Sequence, residues 1–385
     1  IRKDGTKFNA AIKITPTFSN GKNNPQTGYC GITIPINEEV KIPIKFSTIF
    51  IKWAFAITRG GFTSASLFPI FAIAAFMAGS GDGLFNIISL ILCSLGIVFL
   101  HVSSNLFNDY YDVKDGTDGA NNEYFNAGLN STVLEGAQLS GGSRAVELGL
   151  ITHKGTLSLA RKMLFSAVIV TGTLLFNSFN VTGEISNAQN ALILGLIGGL
   201  LGYFYTARPL RLVSRRGLGE IAIFLAFGPV LTLGALFAIS NSTVEIYSQE
   251  FFNAIYLGVP FGLLTTNILY INQYPDTVSD ASTGKNHLID DLGKKNARWG
   301  YLLILLAAFG SSIYLTEILA ENLLNFNKSI FYAGNGLLFI YGLFAFFNLY
   351  KNYNSRDLVF SNLKTIYLQI FYGLFMVIAL NLFFI

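Results

Sequence analysis

Two short segments of this 385-residue chain repeat the same acidic spacing. One reads Asn108-Asp109-Tyr110-Tyr111-Asp112-Val113-Lys114-Asp115, the other Asn272-Gln273-Tyr274-Pro275-Asp276-Thr277-Val278-Ser279-Asp280. In each, an Asn is followed four residues later by an Asp, and another Asp comes three or four residues further on. Positions i and i+4 share one face of a helix, so each segment would present its oxygens as a cluster. Crowded carboxylates repel one another and resist ionisation together. A hard cation relieves this. Mg²⁺ typically takes one or two carboxylates together with phosphate oxygens and water. Two such clusters facing each other would hold Mg²⁺ on a diphosphate. Asn108, Asp112, Asp276 and Asp280 are therefore the expected catalytic residues, and Asp115 and Asn272 join them as candidate metal ligands. With three His and no metal-type Cys spacing, zinc is not expected.

A diphosphate site also needs cations from the protein. The stretch Tyr205-Thr206-Ala207-Arg208-Pro209-Leu210-Arg211-Leu212-Val213-Ser214-Arg215-Arg216 offers four arginines. Arg208 and Arg211 lie closest to the preceding apolar run, and a guanidinium binds phosphate oxygens in pairs. The same arginines also fit a topology signal, Arg215 and Arg216 better than the other two. Lys285, five residues after Asp280, and Arg144 in Gly141-Gly142-Ser143-Arg144 complete the candidate diphosphate set. His101 and Asn105 extend the polar stripe that leads to Asn108. Taken alone, His101 reads as a hydrogen-bonded packing residue.

The elements that carry these residues are apolar. Hydrophobic residues make up 52% of the chain and charged ones 12%, against about 25% charged in soluble domains. Nine runs approach the ~20 residues needed to cross a bilayer: 61–81, 84–108, 160–180, 190–207, 218–240, 251–272, 298–317, 329–350 and 363–385. A carboxylate deep in a membrane costs about 2.5–3.5 kcal/mol, so acids beside spans imply use. With a cytoplasmic N-terminus, only Lys328 of the 26 Lys and Arg falls in a connection on the opposite face, as retention of positive charge predicts. Both acidic segments then share the cytoplasmic face. The net charge of +4 reflects this topology, not nucleic-acid binding. The expected fold is all-α: a polytopic membrane protein of about nine transmembrane helices around a central cavity. The acids gather at one face and not at the bilayer midplane, which argues against a transporter. Residues 1–50 form a polar, cytoplasmic N-terminal extension, disordered or loosely strand-forming, and 51–385 form the transmembrane domain. Cys30 and Cys93 predict no disulfide.

The paired motifs resemble the UbiA superfamily of intramembrane aromatic prenyltransferases. The resemblance runs from about Arg59 to Ile385. It rests on Asn108-Asp109-Tyr110-Tyr111-Asp112 with Gly116-Thr117-Asp118, and on Asn272-Gln273 with Pro275-Asp276, Asp280 and Gly284-Lys285. Gly142-Ser143-Arg144, Gly149-Leu150-Ile151 and Gly284-Lys285-Asn286-His287-Leu288 are similar to the MenA (1,4-dihydroxy-2-naphthoate polyprenyltransferase) branch. The resemblance implies Mg²⁺-dependent transfer of a polyprenyl group from an allylic polyprenyl diphosphate to an aromatic acceptor. It implies 1,4-dihydroxy-2-naphthoate and menaquinone biosynthesis first; hydroxybenzoate, homogentisate and glyceryl phosphate are acceptors elsewhere in the superfamily. It further implies a cell (inner) membrane location with the active site facing the cytoplasm.

Overall fold

The computed structural model describes residues 10–17, 28–35, 52–80, 85–115, 143, 145–146, 150–282, 284–285, 287–323 and 326–381. Within the N-terminal extension, β1 (Ala10–Thr17) and β2 (Gly28–Pro35) pair antiparallel, with Ala10 opposite Pro35 and Thr17 opposite Gly28. The β-branched run Ile32-Thr33-Ile34 thus lies in a regular strand.

The membrane body is helical. Its elements are α1 (Ser64–Gly79), α2 (Ile87–Asp115), α3 (His153–Thr182), α4 (Ser186–Thr206), α5 (Leu218–Phe227), α6 (Pro229–Ile239), α7 (Gln249–Ser282), α8 (Leu288–Asn322), α9 (Lys328–Asn352) and α10 (Val359–Asn381). A π-helical turn at Lys52–Ile57 and a 3₁₀ turn at Gly60–Thr63 lead into α1. Among the described residues nine segments are long and apolar enough to cross a membrane, with α5 and α6 sharing one.

Burial separates the centre of the bundle from its rim. In α7, 72% of the apolar window is buried; in α4 the share is 6%. α7 is therefore the central post, and α3 and α4 turn Phe165, Val168 and Leu196 outward toward lipid. Around α7 the core joins Ile70 and Ile73 of α1, Phe237 of α6, Leu305 of α8 and Tyr372 of α10.

The α7 contact with α5 and α6 is backbone against backbone. In Gly258-Val259-Pro260-Phe261-Gly262, a Cβ at Gly258 would lie 2.7 Å from the Gly228 carbonyl carbon, and one at Gly262 would lie 2.4 Å from the Phe224 carbonyl oxygen. Small residues four apart let membrane helices approach this closely. Gly262→Leu is expected to destabilise the bundle by about 3 kcal/mol, the upper part of the overpacking range. Thermal unfolding in detergent reads this directly, and an unchanged midpoint would show that the crossing has slack.

Pro275 does not break α7, which continues as one helix to Ser282. The turns beyond the missing N–H still carry the acidic residues on a helical face. The deviation instead falls in α8, at Gly293 (φ 71°, ψ 144°), where the absence of a Cβ permits positive φ.

Candidate active site

α2 and α7 deliver their acidic turns to one place. Lys285, in the connection after α7, puts its Nζ 2.5 Å from Asp112 Oδ1 and 3.7 Å from Asp280 Oδ1. One ammonium thus bridges the two motifs from opposite halves of the chain. All three side chains are buried. Burial works against the charge on Lys285, but the Asp112 and Asp280 carboxylates and the hydrogen bond to Asp112 outweigh it, holding its pKa above the ordinary lysine value.

The second carboxylate oxygen of Asp280 has its own partner. His287 Nε2 lies 2.6 Å from Asp280 Oδ2. The His287 backbone N–H donates to Asp290 Oδ2 at 2.9 Å, which fixes the start of α8. Asp276 is buried one turn before Asp280 on the same face of α7. Asn108, one turn before Asp112, is half-buried.

The remaining expected residues divide. Asp115 pairs with Arg211 at 3.1 Å and Arg208 at 3.5 Å, so those arginines face the end of α2 but meet Asp115 and not Asp112. Arg211 is 13% exposed and Arg208 73%, which makes Arg211 the better-held cation. Asn272 accepts a hydrogen bond from Asn362 Nδ2 at 2.8 Å, tying α7 to α10. Arg144, Gly142 and Asp118 lie outside the described residues.

Asp109 serves a different purpose from its neighbour Asp112. It forms an ion pair with Arg59. It also accepts from the Ser143 backbone N–H at 3.2 Å and from Ser143 Oγ at 2.5 Å. It therefore ties the chain entering α1 and the α2–α3 connection to the end of α2.

Sequence reasoning passed over two groups here. His287 lies seven residues after Asp280, but the helix ends at Ser282, so no shared helical face assigned it to that carboxylate. Glu220, in the first turn of α5, accepts from Gln273 Nε2 at 3.0 Å and brings another carboxylate beside the site. Its only sequence signal was an acid at a helix start.

Beside the acidic site lies a cavity of about 840 Å³, bounded mainly by α2, α3, α4, α5 and α6. On α2 it extends from Cys93 to Asn108, roughly 22 Å at 1.5 Å per residue. It is largely apolar, and its polar end meets the acidic turn of α2. Among the described residues no three His, Cys, Asp or Glu side chains gather as a metal-holding group. The donor set is nevertheless suited to Mg²⁺, which uses few carboxylates and takes its other ligands from phosphate and water. Asp112 and Asp280 already converge on one cation.

Comparison with known proteins agrees with this architecture. A model of the UbiA prenyltransferase family matches residues 150–379, a stretch that contains the second acidic segment and Lys285. The chain is 28% identical over 293 residues to the UbiA prenyltransferase domain-containing protein 1 of Dictyostelium discoideum, covering 75% of each chain. It is 26% identical over 269 residues to the 1,4-dihydroxy-2-naphthoate octaprenyltransferase of Escherichia coli, covering 69% of this chain and 70% of that one. Its fold matches the structure of a UbiA homolog from Archaeoglobus fulgidus bound to GPP and Mg²⁺, with a TM-score of 0.50, 16% identity and coverage of 85% and 99%.

Proposed function

Since the chain belongs to the UbiA prenyltransferase family, and is by that membership a prenyl-transferring membrane enzyme, we propose that it moves a polyprenyl group from an allylic diphosphate to 1,4-dihydroxy-2-naphthoate. The observation that carries this reading is the meeting of Asp112 and Asp280 at Lys285. Similarity to the E. coli octaprenyltransferase supports the acceptor. The GPP and Mg²⁺ bound to the A. fulgidus homolog support a prenyl diphosphate and Mg²⁺ as ligands.

Asp112 and Asp280, with Asp276 and Asn108 a turn away, would hold Mg²⁺. Bound there, the metal would neutralise charge developing on the departing diphosphate. Lys285 supplies a fixed positive charge to the same group, and Arg211 and Arg208 can turn from Asp115 to its outer oxygens. The apolar part of the cavity receives the prenyl chain and keeps water from the cation-like allyl fragment. The acceptor ring carbon forms the new C–C bond as the C–O bond to diphosphate breaks, and the ring carboxylate leaves as carbon dioxide. The charge asymmetry supports an orientation that puts this site at the cytoplasmic face, and we place the protein in the cell membrane by its resemblance to the family.

Membranes carrying the protein, given radiolabelled polyprenyl diphosphate and a panel of aromatic acids, should yield a prenylated naphthalene product by mass. Product from hydroxybenzoate or homogentisate alone would change the acceptor, and no product from any acceptor would remove the reading. Arg211→Ala is expected to raise KM for the diphosphate about tenfold, as loss of a charged hydrogen bond predicts. Arg208→Ala should have a smaller effect because that side chain is mostly exposed. Equal losses for diphosphate and acceptor would make both arginines structural.

A further inference from the structure

His101 was expected to be a packing residue, yet its surroundings are those of a binding group. It is 9% exposed and lies on α2 within the wall of the large cavity. Ser66 of α1 holds its Nδ1 at 2.7 Å. The Phe227 ring meets it edge-on, with centroids 5.3 Å apart and planes at 74°. The imidazole is thus oriented from two sides. Its other nitrogen, Nε2, has no hydrogen-bond partner among the described residues. One turn closer to the acidic site, Asn105 lines the same cavity, and its Nδ2 is buried with no partner there either.

Buried polar groups are nearly always paired. A polyisoprenoid chain has no hydrogen-bonding group, so filling this end of the cavity with the prenyl tail would leave both nitrogens desolvated. An oxygen-bearing ring would satisfy them. The two residues stand four apart on one helical face, about 6 Å along the axis, comparable to the span between oxygens placed para on one aromatic ring. A hydroxyl can donate or accept, so it suits either tautomer of His101.

We propose that His101 and Asn105 seat the ring oxygens of the aromatic acceptor, with Ser66 holding the His101 ring in position. This rests on the prenyl-transfer reading above. The seat lies about one to two turns below Asn108 and about two to three turns below Asp112, which lets the acceptor ring stand in the cavity with its reactive edge toward the diphosphate. It assigns acceptor recognition to α2, the helix that also carries the first acidic motif.

The test pairs enzyme variants with acceptor analogues. KM and kcat are measured for 1,4-dihydroxy-2-naphthoate and for 1-hydroxy-2-naphthoate and 4-hydroxy-2-naphthoate, each lacking one hydroxyl. Equilibrium binding of the same three compounds to purified protein is measured without diphosphate. His101→Ala should raise acceptor KM and dissociation constant roughly tenfold and leave KM for the diphosphate unchanged. His101→Gln should recover part of the loss. One of the monohydroxy compounds should lose the same factor in wild type and lose nothing more in His101→Ala. Asn105→Ala should show the same pattern with the other compound, which keeps the question open to measurement if His101→Ala fails to fold. Full additivity of hydroxyl removal and side-chain removal, or equal losses for acceptor and diphosphate, would overturn the proposal. Acceptor binding that depends on His101 in a protein that transfers no prenyl group would sink the transferase reading and leave the seat standing.

Discussion

Asp112→Asn is expected to lower kcat for prenyl transfer by about 10³-fold or more while the protein still inserts and folds. The size of the loss follows from position. Asp112 is buried, meets Lys285 at 2.5 Å, and shares that ammonium with Asp280. Losing one preorganised group that stabilises developing charge costs about 10²–10³ in rate, and the same change also removes one of the two converging carboxylates proposed to hold Mg²⁺. Survival of the fold follows from what remains. Removing one member of a buried ion pair typically costs about 3–5 kcal/mol because the other charge is stranded. Lys285 keeps Asp280 within 3.7 Å, so the penalty should fall below that range. Asn also preserves the shape of Asp. The control is Asp115→Asn, only three residues away. Asp115 meets Arg208 and Arg211 and not Lys285, so its loss should act on diphosphate binding through those arginines and leave most of kcat. Transfer of radiolabel, measured beside size exclusion and thermal unfolding in detergent, separates the two. Near-normal kcat in Asp112→Asn, or equal collapse of both variants, would remove Asp112 from the chemistry.

That contrast also marks where the sequence was readable. Hydropathy located all nine spans, because each must satisfy the bilayer within one segment. It located their ends less well, and for a consistent reason. The run read as 84–108 belongs to a helix that continues to Asp115, the run read as 251–272 to one ending at Ser282, and the run read as 298–317 to one beginning at Leu288. These overruns are polar. They carry Asp112, Asp276, Asp280 and Asp290, so an apolar window stops just where the helix reaches the site. Helical spacing nevertheless put Asn108 with Asp112 and Asp276 with Asp280, since that relation is local. The bridge from Lys285 to Asp112 spans 173 residues, and no spacing rule reaches that far. Asp115 was grouped with the metal ligands because it continues the acidic run. Its contacts with Arg208 and Arg211 depend on where the α4–α5 connection folds back. Pro275 lacks an N–H and so allows a helical break, yet packing around the most buried helix of the bundle keeps α7 whole. His101 was legible as part of a polar stripe but not as a cavity wall, which exists only once α2 stands beside α4 and α6.

Chelation of divalent cations by EDTA should reduce transfer to background, and added Mg²⁺ should restore it, with little change in thermal stability. The two halves of this expectation come from the same three side chains. Asp112 and Asp280 converge from different helices, and two close carboxylates unaided would repel each other. Lys285 sits between them, and its ammonium is held above the ordinary lysine pKa by their charges. The protein therefore carries its own neutralising cation and does not need a metal to keep α2 and α7 together. Chemistry is another matter, because a single lysine cannot balance both the carboxylates and a diphosphate leaving group. Lys285→Met sharpens the point. Without the ammonium, the bare carboxylates should make the fold itself respond to Mg²⁺, with stability rising as RT ln(1 + [Mg²⁺]/Kd), about 2.7 kcal/mol at a hundredfold excess over Kd. Wild type should show a much weaker response. Transfer that persists in EDTA would defeat the metal-dependent reading. A wild-type midpoint that collapses on chelation would instead show that Lys285 is insufficient and that the metal is structural.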